Sequence, residues 1–181
     1  MFGKCMARPI ALVTGGGRGI GAATSKRLAA DGYDILLTYN LSSKPAEMVV
    51  DEIRRTGADA LAVKVDCNDD GEVALLGIHP WMHRGIDALV LNHGRYERVA
   101  AEEMTIDDLR STMKTNFEGA VGVWKAVQPH LTDSARIVVV GSQLGTRGSP
   151  HGADYSASKA ALAMWARSLA QAVGPQGKRV N

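Results

Sequence analysis

The sequence predicts an α/β fold in which a doubly wound parallel sheet carries helices on both faces. Two observations support this prediction. Short apolar runs of strand length alternate with helix-like segments along the 181 residues, as in consecutive βαβ units. The first run leads directly into a glycine-rich turn and then a helix, the order of elements that begins a Rossmann-type sheet. We expect the sheet to be C-terminally incomplete, because the chain stops where a sixth strand would begin.

The strands and helices can be placed in order along the chain. The predicted strands are Ala11–Thr14, Asp34–Tyr39, Asp59–Lys64, Ala88–Asn92 and Arg136–Val140. The predicted helices are Gly19–Asp31, Lys44–Thr56, Asp70–Gly77, Thr105–His130 and Asp154–Val173. Gly32 ends the first helix, and Pro80 ends the third and leaves residues 78–84 irregular. Thr105 caps the fourth helix, which has acidic residues in its first turn.

Length and composition indicate one domain, residues 9–181, after a loose leader, residues 1–8. A chain of 181 residues can bury a sizeable core. The net charge is +2 with both signs mixed, so no basic patch points to nucleic acid or a membrane surface. Cys5 and Cys67 form no metal or redox motif, and no signal peptide or apolar run of ~20 residues is present. We therefore expect a cytoplasmic protein without a metal site.

A glycine-rich turn follows the first predicted strand, with the sequence Thr14-Gly15-Gly16-Gly17-Arg18-Gly19-Ile20-Gly21. Glycine has no Cβ, so the backbone can turn tightly and approach phosphate groups. A strand, such a turn and a helix together indicate a dinucleotide site with the pyrophosphate at the helix N-terminus. Residues 17–22 fit G-x-G-x-x-A, but the spacing T-G-x-x-x-G-x-G is more informative. The alternative is a turn with a purely structural role.

Tyr155 and Lys159 lie at the start of the last predicted helix. Residues four apart share a helix face, so the two side chains should point into the same space. A phenol is a poor proton carrier near neutral pH, but a neighbouring ammonium group favours the phenolate. The pair is therefore a candidate general acid/base. The alternative is a solvated Tyr-Lys helix face.

These motifs together resemble the classical short-chain dehydrogenases/reductases, over residues 9–181. The family carries T-G-x-x-x-G-x-G after its first strand, a catalytic Ser thirteen residues before the catalytic Tyr, and an Asn on the preceding helix. Ser142 and Asn116 occupy those two positions here. The chain looks most similar to the branch that holds the 3-oxoacyl-carrier-protein reductases.

The resemblance implies an NAD(P)-dependent oxidoreductase that transfers hydride between a nicotinamide and a carbonyl or secondary alcohol. Tyr155 would exchange a proton with the substrate oxygen, and Ser142 would donate a hydrogen bond to it. Lys159 would support Tyr155 and grip the nicotinamide ribose. Asn116 would hold a water that links Lys159 to solvent.

The end of the second predicted strand indicates NADP(H) rather than NAD(H). An acidic residue there would bind the ribose 2′-hydroxyl of NAD, but residues 38–44 contain none. Arg18, Ser42, Ser43 and Lys44 offer the cations and hydroxyls that a 2′-phosphate prefers. The alternative is that both cations are solvated surface charges. By resemblance, Asp66 meets the adenine amino group and Cys67 contributes only backbone.

The complete predicted cofactor set includes one motif that departs from the family pattern. The expected cofactor-binding residues are Thr14, Gly15, Gly17, Arg18, Gly19, Ile20, Gly21, Tyr39, Asn40, Ser42, Ser43, Asp66, Cys67, Asn92, Gly94, Tyr155 and Lys159. The family usually has Asn-Asn-Ala-Gly after its fourth strand, whereas this chain has Leu91-Asn92-His93-Gly94. His93 is either an extra acid/base or a packing and hydrogen-bonding residue.

The expected partners are a small carbonyl or alcohol substrate and further copies of the chain, as a dimer or tetramer. Residues 143–154 should border the substrate, and the polar candidates are Arg95, Tyr96, Arg147 and His151, each of which has ordinary loop solvation as its alternative.

The C-terminal segment 174–181 resembles the family's entry into its sixth strand, so the chain is either a fragment or a naturally short product. We expect the fifth strand to form an uncovered edge, with exposed apolar side chains at residues 137–140 that promote association. Turnover by the 181-residue form should then be low. Two other classes of function stay open: a dinucleotide-binding module without turnover, and an interaction or structural protein that retains the fold.

Overall fold

The computed structural model describes residues 7–181, which form one six-stranded parallel sheet with helices on both faces. The strands are β1 (Ile10–Val13), β2 (Asp34–Tyr39), β3 (Ala60–Lys64), β4 (Ile86–Leu91), β5 (Leu131–Val139) and β6 (Arg179–Val180). Their order is β3-β2-β1-β4-β5-β6, and every neighbouring pair is parallel. The chain therefore winds outward from β1 in both directions, and the predicted doubly wound fold is confirmed.

The helices match the predicted segments except in the middle of the chain and at residues 144–147, where a short helix was not predicted. They are α1 (Gly19–Ala30), α2 (Ser43–Arg55), α3 (Asp70–Gly77), α4 (Ile106–Met113), α5 (Gly119–Val127), α6 (Leu144–Arg147) and α7 (Ala153–Val173). The single helix predicted over residues 105–130 is interrupted by a π-helical turn, Lys114–Glu118, and ends in a short 3₁₀ turn. A second 3₁₀ turn covers Pro80–Arg84, where the sequence predicted irregular chain. Within residues 7–181, no helix combines the length and apolarity needed to cross a bilayer.

Alternate residues of each central strand point to opposite faces of the sheet, and both faces are buried. On one face, Leu12 pairs in register with Leu36 and Leu89, and Leu89 pairs with Ile137. This row belongs to the larger apolar cluster, which also contains side chains of α3, α5 and α7. On the other face, Ile35 and its neighbours pack against α2 in a smaller cluster. Burial on both sides explains why the strands are almost continuously apolar.

Side-chain caps begin two of the helices. Asp69 accepts hydrogen bonds from the backbone N–H groups of Gly71 (2.8 Å) and Glu72 (2.9 Å) at the start of α3. At α4, Thr105 and Asp108 form a reciprocal capping box, which confirms the predicted start of that helix. Each cap satisfies N–H groups that have no partner within the helix, a contribution of about 1 kcal/mol.

Arg8 belongs to the folded domain, although the sequence analysis placed it in a loose leader. Its guanidinium donates to the carbonyl oxygens of Ala29 (2.8 Å) and Gly32 (3.1 Å). It also lies 3.5 Å from the buried carboxylate of Asp34, which Arg84 contacts at 2.6 Å. Residues 1–6 of the predicted leader, which include Cys5, lie outside the described residues.

The expectation that β5 forms an uncovered edge is wrong. Arg136 and Ile137 pair with the two residues of β6, Arg179 and Val180. Asn181 extends this pairing, because its N–H donates to the Ile137 carbonyl and its own carbonyl accepts from the Val139 N–H. Ile137 is fully buried because it packs in the larger apolar cluster, whereas the neighbouring Val138 is 42% exposed, so the expected apolar exposure holds for only part of this stretch. Three residues are enough to satisfy this stretch of backbone, which the sequence analysis did not anticipate.

Ile137→Ala is expected to lower the free energy of unfolding by about 2–5 kcal/mol, because it empties a fully buried position in the larger cluster. Val138→Ala is the matched control, since the neighbouring side chain is 42% exposed and its truncation should cost less than about 1 kcal/mol. Urea denaturation followed by circular dichroism measures both. Equal losses would contradict the inward and outward directions assigned to these two side chains.

Candidate active site

The glycine turn brings β1, α1 and the loop after β4 into close contact. A Cβ on Gly21 would lie 2.2 Å from the Gly15 carbonyl oxygen and 2.6 Å from Nδ2 of Asn92, so no other residue fits there. A Cβ on Gly17 would lie 2.8 Å from the side chain of Ala46 in α2. Gly15 has φ +61°, in the left-handed region that favours glycine. Gly19 begins α1, and a Cβ there would have no atom within 4 Å, so bare backbone faces open space at the helix N-terminus, as a pyrophosphate site requires.

Thr14 links this turn to the loop after β4. Its Oγ1 accepts the backbone N–H groups of Asn92 (2.9 Å) and His93 (3.2 Å). In return, the Asn92 amide Nδ2 donates to the carbonyl oxygens of Thr14 (3.0 Å) and Gly15 (3.2 Å). Because β1 and β4 are neighbours that lead to opposite halves of the sheet, this is the crevice where such folds bind their ligands.

A cavity of about 410 Å³ opens beside the glycine turn, at the carboxyl ends of β1, β2 and β3. Eight predicted cofactor residues line it: Gly17, Arg18, Tyr39, Asn40, Ser42, Asp66, Cys67 and Gly94. The lining also contains Thr38, Leu41, Val65, Asn68, His93, Arg95 and Thr115, which the cofactor prediction did not include. Ser43 and Lys44, which the sequence analysis offered as 2′-phosphate ligands, are not among the lining residues.

The structure gives the hydrogen bonds of Asp66 and the protonation state of Cys67, two residues of the cavity wall. One carboxylate oxygen of Asp66 accepts from the backbone and side-chain amides of Asn68 (2.9 and 3.0 Å). Burial raises the pKa of the Cys67 thiol to about 12, and the charges of Asp66 and Glu72 add to this effect. The thiol therefore stays protonated, which agrees with the expectation that Cys67 offers only its backbone.

Tyr155 and Lys159 share one face of α7, as their spacing predicted. The Lys159 Nζ lies 5.9 Å from the centroid of the Tyr155 ring and donates to the Val140 carbonyl at 2.9 Å. Only 4% of Lys159 is exposed, and this burial lowers the pKa of its ammonium group. The cation is thus held in a poorly solvated place beside the phenol ring. The solvated-face alternative does not describe this pair.

Ser142 follows the strand that supplies the Lys159 contact. It lies two residues after Val140, just past the end of β5. The Ser142 Oγ accepts a hydrogen bond from the Leu144 N–H at 3.2 Å. That bond uses a lone pair and leaves the hydroxyl hydrogen available to donate to another oxygen.

Asn116 lies in the π-helical turn and is fully buried. Its Nδ2 donates to the Arg95 carbonyl and to Ser158 Oγ, both at 3.0 Å, while its Oδ1 accepts the Arg95 N–H at 2.8 Å. Ser158 in turn donates to the Tyr155 carbonyl at 2.8 Å. The side chain therefore ties the loop after β4 to the helix that carries Tyr155. Sequence reasoning missed Arg95 and Ser158 here, although Ser158 is three residues from Tyr155 on the same helix.

His93 packs inside the domain. Its Nδ1 lies 2.8 Å from Thr14 Oγ1, and a Cβ on Gly119 would lie 3.2 Å from its Nε2. Burial, and after it the Lys159 charge, lower the pKa of His93 to about 4, against an opposing effect of the Thr115 backbone. The imidazole is therefore neutral near pH 7. Among the two interpretations from sequence, these contacts support the packing and hydrogen-bonding one.

Comparisons with known proteins agree with this geometry. A profile of the short chain dehydrogenase family matches residues 9–181. The hydroxynaphthalene reductase-like protein Arp2 of Metarhizium brunneum is 36% identical over 180 residues, which cover 98% of this chain and 67% of the relative. Versicolorin reductase stcU of Emericella nidulans is 34% identical over 174 residues, covering 95% of this chain and 66% of that protein.

Solved structures show the same relationship. A short chain dehydrogenase from Burkholderia cenocepacia in complex with NADP has a TM-score of 0.88 and 40% identity, covering 94% of this chain and 70% of that one. A blue fluorescent protein from a metagenomic library, in complex with NADPH, has a TM-score of 0.87 and 38% identity with the same coverage. The chain belongs to the short-chain dehydrogenase/reductase family and spans about two thirds of these relatives. The predicted class, an oxidoreductase that transfers hydride to or from a nicotinamide cofactor, is confirmed.

His93→Ala is expected to flatten the dependence of stability on pH. The folded pKa is about 4 and the ordinary value is 6.5, so the unfolded chain binds the proton first as pH falls. The contribution of the neutral imidazole is fully present above about pH 6.5 and is lost as pH falls towards about 4. The loss should reach roughly 2 kcal/mol by about pH 5.

Urea unfolding at about pH 7.5 and about pH 5 measures this difference. The exposed His83 provides the matched control, and His83→Ala should leave the pH dependence unchanged. A His93→Ala variant that loses as much stability at low pH as the unmutated protein would show that His93 does not carry the effect.

Proposed function

We propose that this protein is an NADP-dependent carbonyl reductase whose catalytic residues are Asn116, Ser142, Tyr155 and Lys159. The observation that carries the proposal is the position of Lys159, whose buried ammonium group lies beside the Tyr155 ring. The same ammonium group donates to the carbonyl of Val140, which follows β5 and precedes Ser142 by two residues. Such an arrangement serves proton transfer to an oxygen that lies between a phenol and a serine hydroxyl. In a solvated Tyr-Lys pair on a helix surface, the lysine ammonium group would be exposed, whereas that of Lys159 is buried.

Each side chain then has a defined role at the substrate oxygen. Tyr155 donates its hydroxyl proton to that oxygen in reduction, and the nearby Lys159 cation stabilises the phenolate that remains. Ser142 donates a hydrogen bond to the same oxygen as negative charge develops there. Asn116 holds the loop after β4 against α7, and we propose that a water beside it returns a proton through Lys159. When bound, NADPH supplies the hydride.

The glycine turn and the cavity fit a dinucleotide. The open space around Gly19 leaves bare backbone at the N-terminus of α1, where the pyrophosphate would lie. The free carboxylate oxygen of Asp66 is suited to the adenine amino group. Tyr155 and Lys159 would border the nicotinamide ribose. The other predicted cofactor residues fall into three groups: those of the glycine turn, Asn92 and Gly94 after β4, and the residues at or after the ends of β2 and β3, namely Tyr39, Asn40, Ser42, Ser43 and Cys67.

NADP is proposed over NAD because the mouth of the cavity offers a cation and hydroxyl or amide donors. Arg18 is exposed at the cavity wall, and Asn40 and Ser42 line the same side. Two of the similar solved structures contain NADP or NADPH. Lys44 lies outside the lining, so the proposal now rests on Arg18 rather than on both cations.

The remaining expectations about the protein are proposals of the same kind. We propose that residues 9–181 act as one dinucleotide-binding catalytic unit, that the substrate is a small carbonyl or alcohol compound and that the location is cytoplasmic. We also propose that the chain forms a homo-oligomer, either a dimer or a tetramer. The 3-oxoacyl-carrier-protein reductase branch stays a prediction, and the relatives named above are reductases with other names.

Tyr155→Phe should nearly abolish NADPH-dependent carbonyl reduction, by at least about 10²-fold in kcat, because it removes only the proton donor. Affinity for NADPH and the melting temperature should stay close to those of the unmutated protein. Turnover is followed at 340 nm with a panel of small ketones and aldehydes. Tyr33→Phe, on the partly buried Tyr33 of the smaller cluster, is the control. Turnover of Tyr155→Phe within a few-fold of normal would exclude Tyr155 as the acid.

Arg18→Ala should weaken NADPH about 10- to 100-fold and leave NADH almost unchanged, because a charge-assisted hydrogen bond contributes about 1.5–3 kcal/mol. Lys44→Ala provides a matched loss of charge outside the cavity and should have a much smaller effect. Titration of cofactor fluorescence gives both dissociation constants. Equal affinity of the unmutated protein for NADPH and NADH would contradict the proposed preference.

A further inference from the structure

Tyr96 makes contacts that the proposed mechanism does not use. It lies in the loop after β4, two residues past Gly94, and 48% of it is exposed. Its ring meets the Tyr155 ring edge-on, with centroids 4.9 Å apart and an interplanar angle of 62°. Its hydroxyl donates to the His151 carbonyl at 2.8 Å. An aromatic side chain half open to solvent is thus fixed at both ends against the segment that leads into α7.

Gly152 leaves the space that Tyr96 occupies. It is the residue before α7 and has φ +146°, a conformation that side chains rarely adopt. A Cβ at this position would lie 2.7 Å from Cε2 of Tyr96. The backbone N–H of Ala101 donates to the Pro150 carbonyl at 2.9 Å and makes a second link between the same two segments.

The contacts of Tyr96 affect the orientation of the Tyr155 side chain. Tyr155 lies in the first turn of α7, which has no preceding turn to restrict a side chain. One side of its ring faces the Lys159 ammonium group, and the edge contact with Tyr96 restricts the ring from another direction. Edge-to-face aromatic pairs contribute about 0.5–1.5 kcal/mol beyond the area that they bury. The direction of the phenol hydroxyl therefore depends on Tyr96 as well as on Lys159.

We propose that Tyr96 is a positioning residue that holds the Tyr155 phenol in its reactive orientation, and that the bond to the His151 carbonyl and the space at Gly152 hold Tyr96 in turn. The proposal rests on the proposed function for its kinetic consequence, but its structural part stands without a substrate. Tyr96 itself transfers no proton, because its hydroxyl is committed to a backbone carbonyl.

A kinetic test separates positioning from substrate contact. Tyr96→Ala should lower kcat about tenfold, with KM and NADPH affinity changed less than about twofold, because orientation acts on the chemical step. Tyr96→Phe keeps the ring contact and loses one hydrogen bond, so it should retain most of kcat. A rise in KM at constant kcat would mean that Tyr96 only contacts substrate, and unchanged kinetics would mean that it does nothing here. Either result overturns the proposal.

A double-mutant cycle tests the role of Gly152. Gly152→Ala places a methyl group against Tyr96 and should lower kcat in the unmutated background. If the clash with Tyr96 is responsible, the same substitution should cost at least threefold less in Tyr96→Ala. Equal costs in both backgrounds would show that backbone strain at Gly152, rather than Tyr96, causes the loss.

A measurement without substrate keeps this inference distinct from the proposed function. The chain has four tyrosines, so ¹³C-labelled tyrosine gives a simple spectrum in which Tyr155→Phe assigns the Tyr155 signals. Tyr96→Ala should shift those signals by removing the neighbouring ring, whereas Tyr33→Phe should not. Unmoved signals would overturn the positioning role even in an active enzyme. Shifted signals in a protein without turnover would support the contact and count against the reductase.

Discussion

The close contact between the glycine turn and the loop after β4 is the constraint on which the rest of the site depends. Gly21 admits no Cβ, and four hydrogen bonds cross this junction, from Asn92 and His93 to Thr14 and Gly15. The loop fixed in this way continues to Arg95, whose backbone is held by Asn116, and Asn116 reaches α7 through Ser158. The dinucleotide end and the proton-transfer end are therefore parts of one hydrogen-bonded unit. A shift at the turn would be felt at Tyr155, because Thr14, Asn116 and Ser158 are buried and have little alternative solvation.

The π-helical turn at residues 114–118 makes this connection possible. The helix over residues 105–130 is not regular, because the π turn widens it locally at Asn116. At this point the buried Asn116 side-chain amide contacts both the loop after β4 and α7. All three hydrogen bonds of the Asn116 side chain are made to residues outside its own helix, namely Arg95 and Ser158. Because an unsatisfied buried amide would cost about 1–3 kcal/mol, these bonds stabilise the irregular turn as much as the turn positions the bonds. Single π-helical turns inside α-helices are frequently found at the functional sites of proteins.

His93 shows how a departure from the family motif can be accommodated. An imidazole stands where the family usually has alanine, and it fills the space beside Gly119, where a Cβ would also approach the Cys67 carbonyl at 2.9 Å. Within residues 7–181, its buried Nε2 has no hydrogen-bond partner of good geometry. The neutral form is the one that such a place tolerates, since burial and the Lys159 cation both disfavour a second positive charge. The substitution therefore introduces sensitivity to acid rather than a second catalyst.

The sequence by itself determined the sheet, the glycine turn and the shared face of Tyr155 and Lys159, because apolar periodicity, missing Cβ atoms and helical spacing are local properties of the chain. It also indicated the capping box at Thr105. Tertiary structure alone decided that Lys44 stays outside the cavity, that Asn116 lies in a π turn and that residues 179–181 cover β5. It decided as well that His93 makes a hydrogen bond with Thr14 and that Tyr96 packs against Tyr155. These outcomes depend on contacts between residues 20 to 80 positions apart, and no local pattern encodes which of several polar side chains will be nearest when the segments pack.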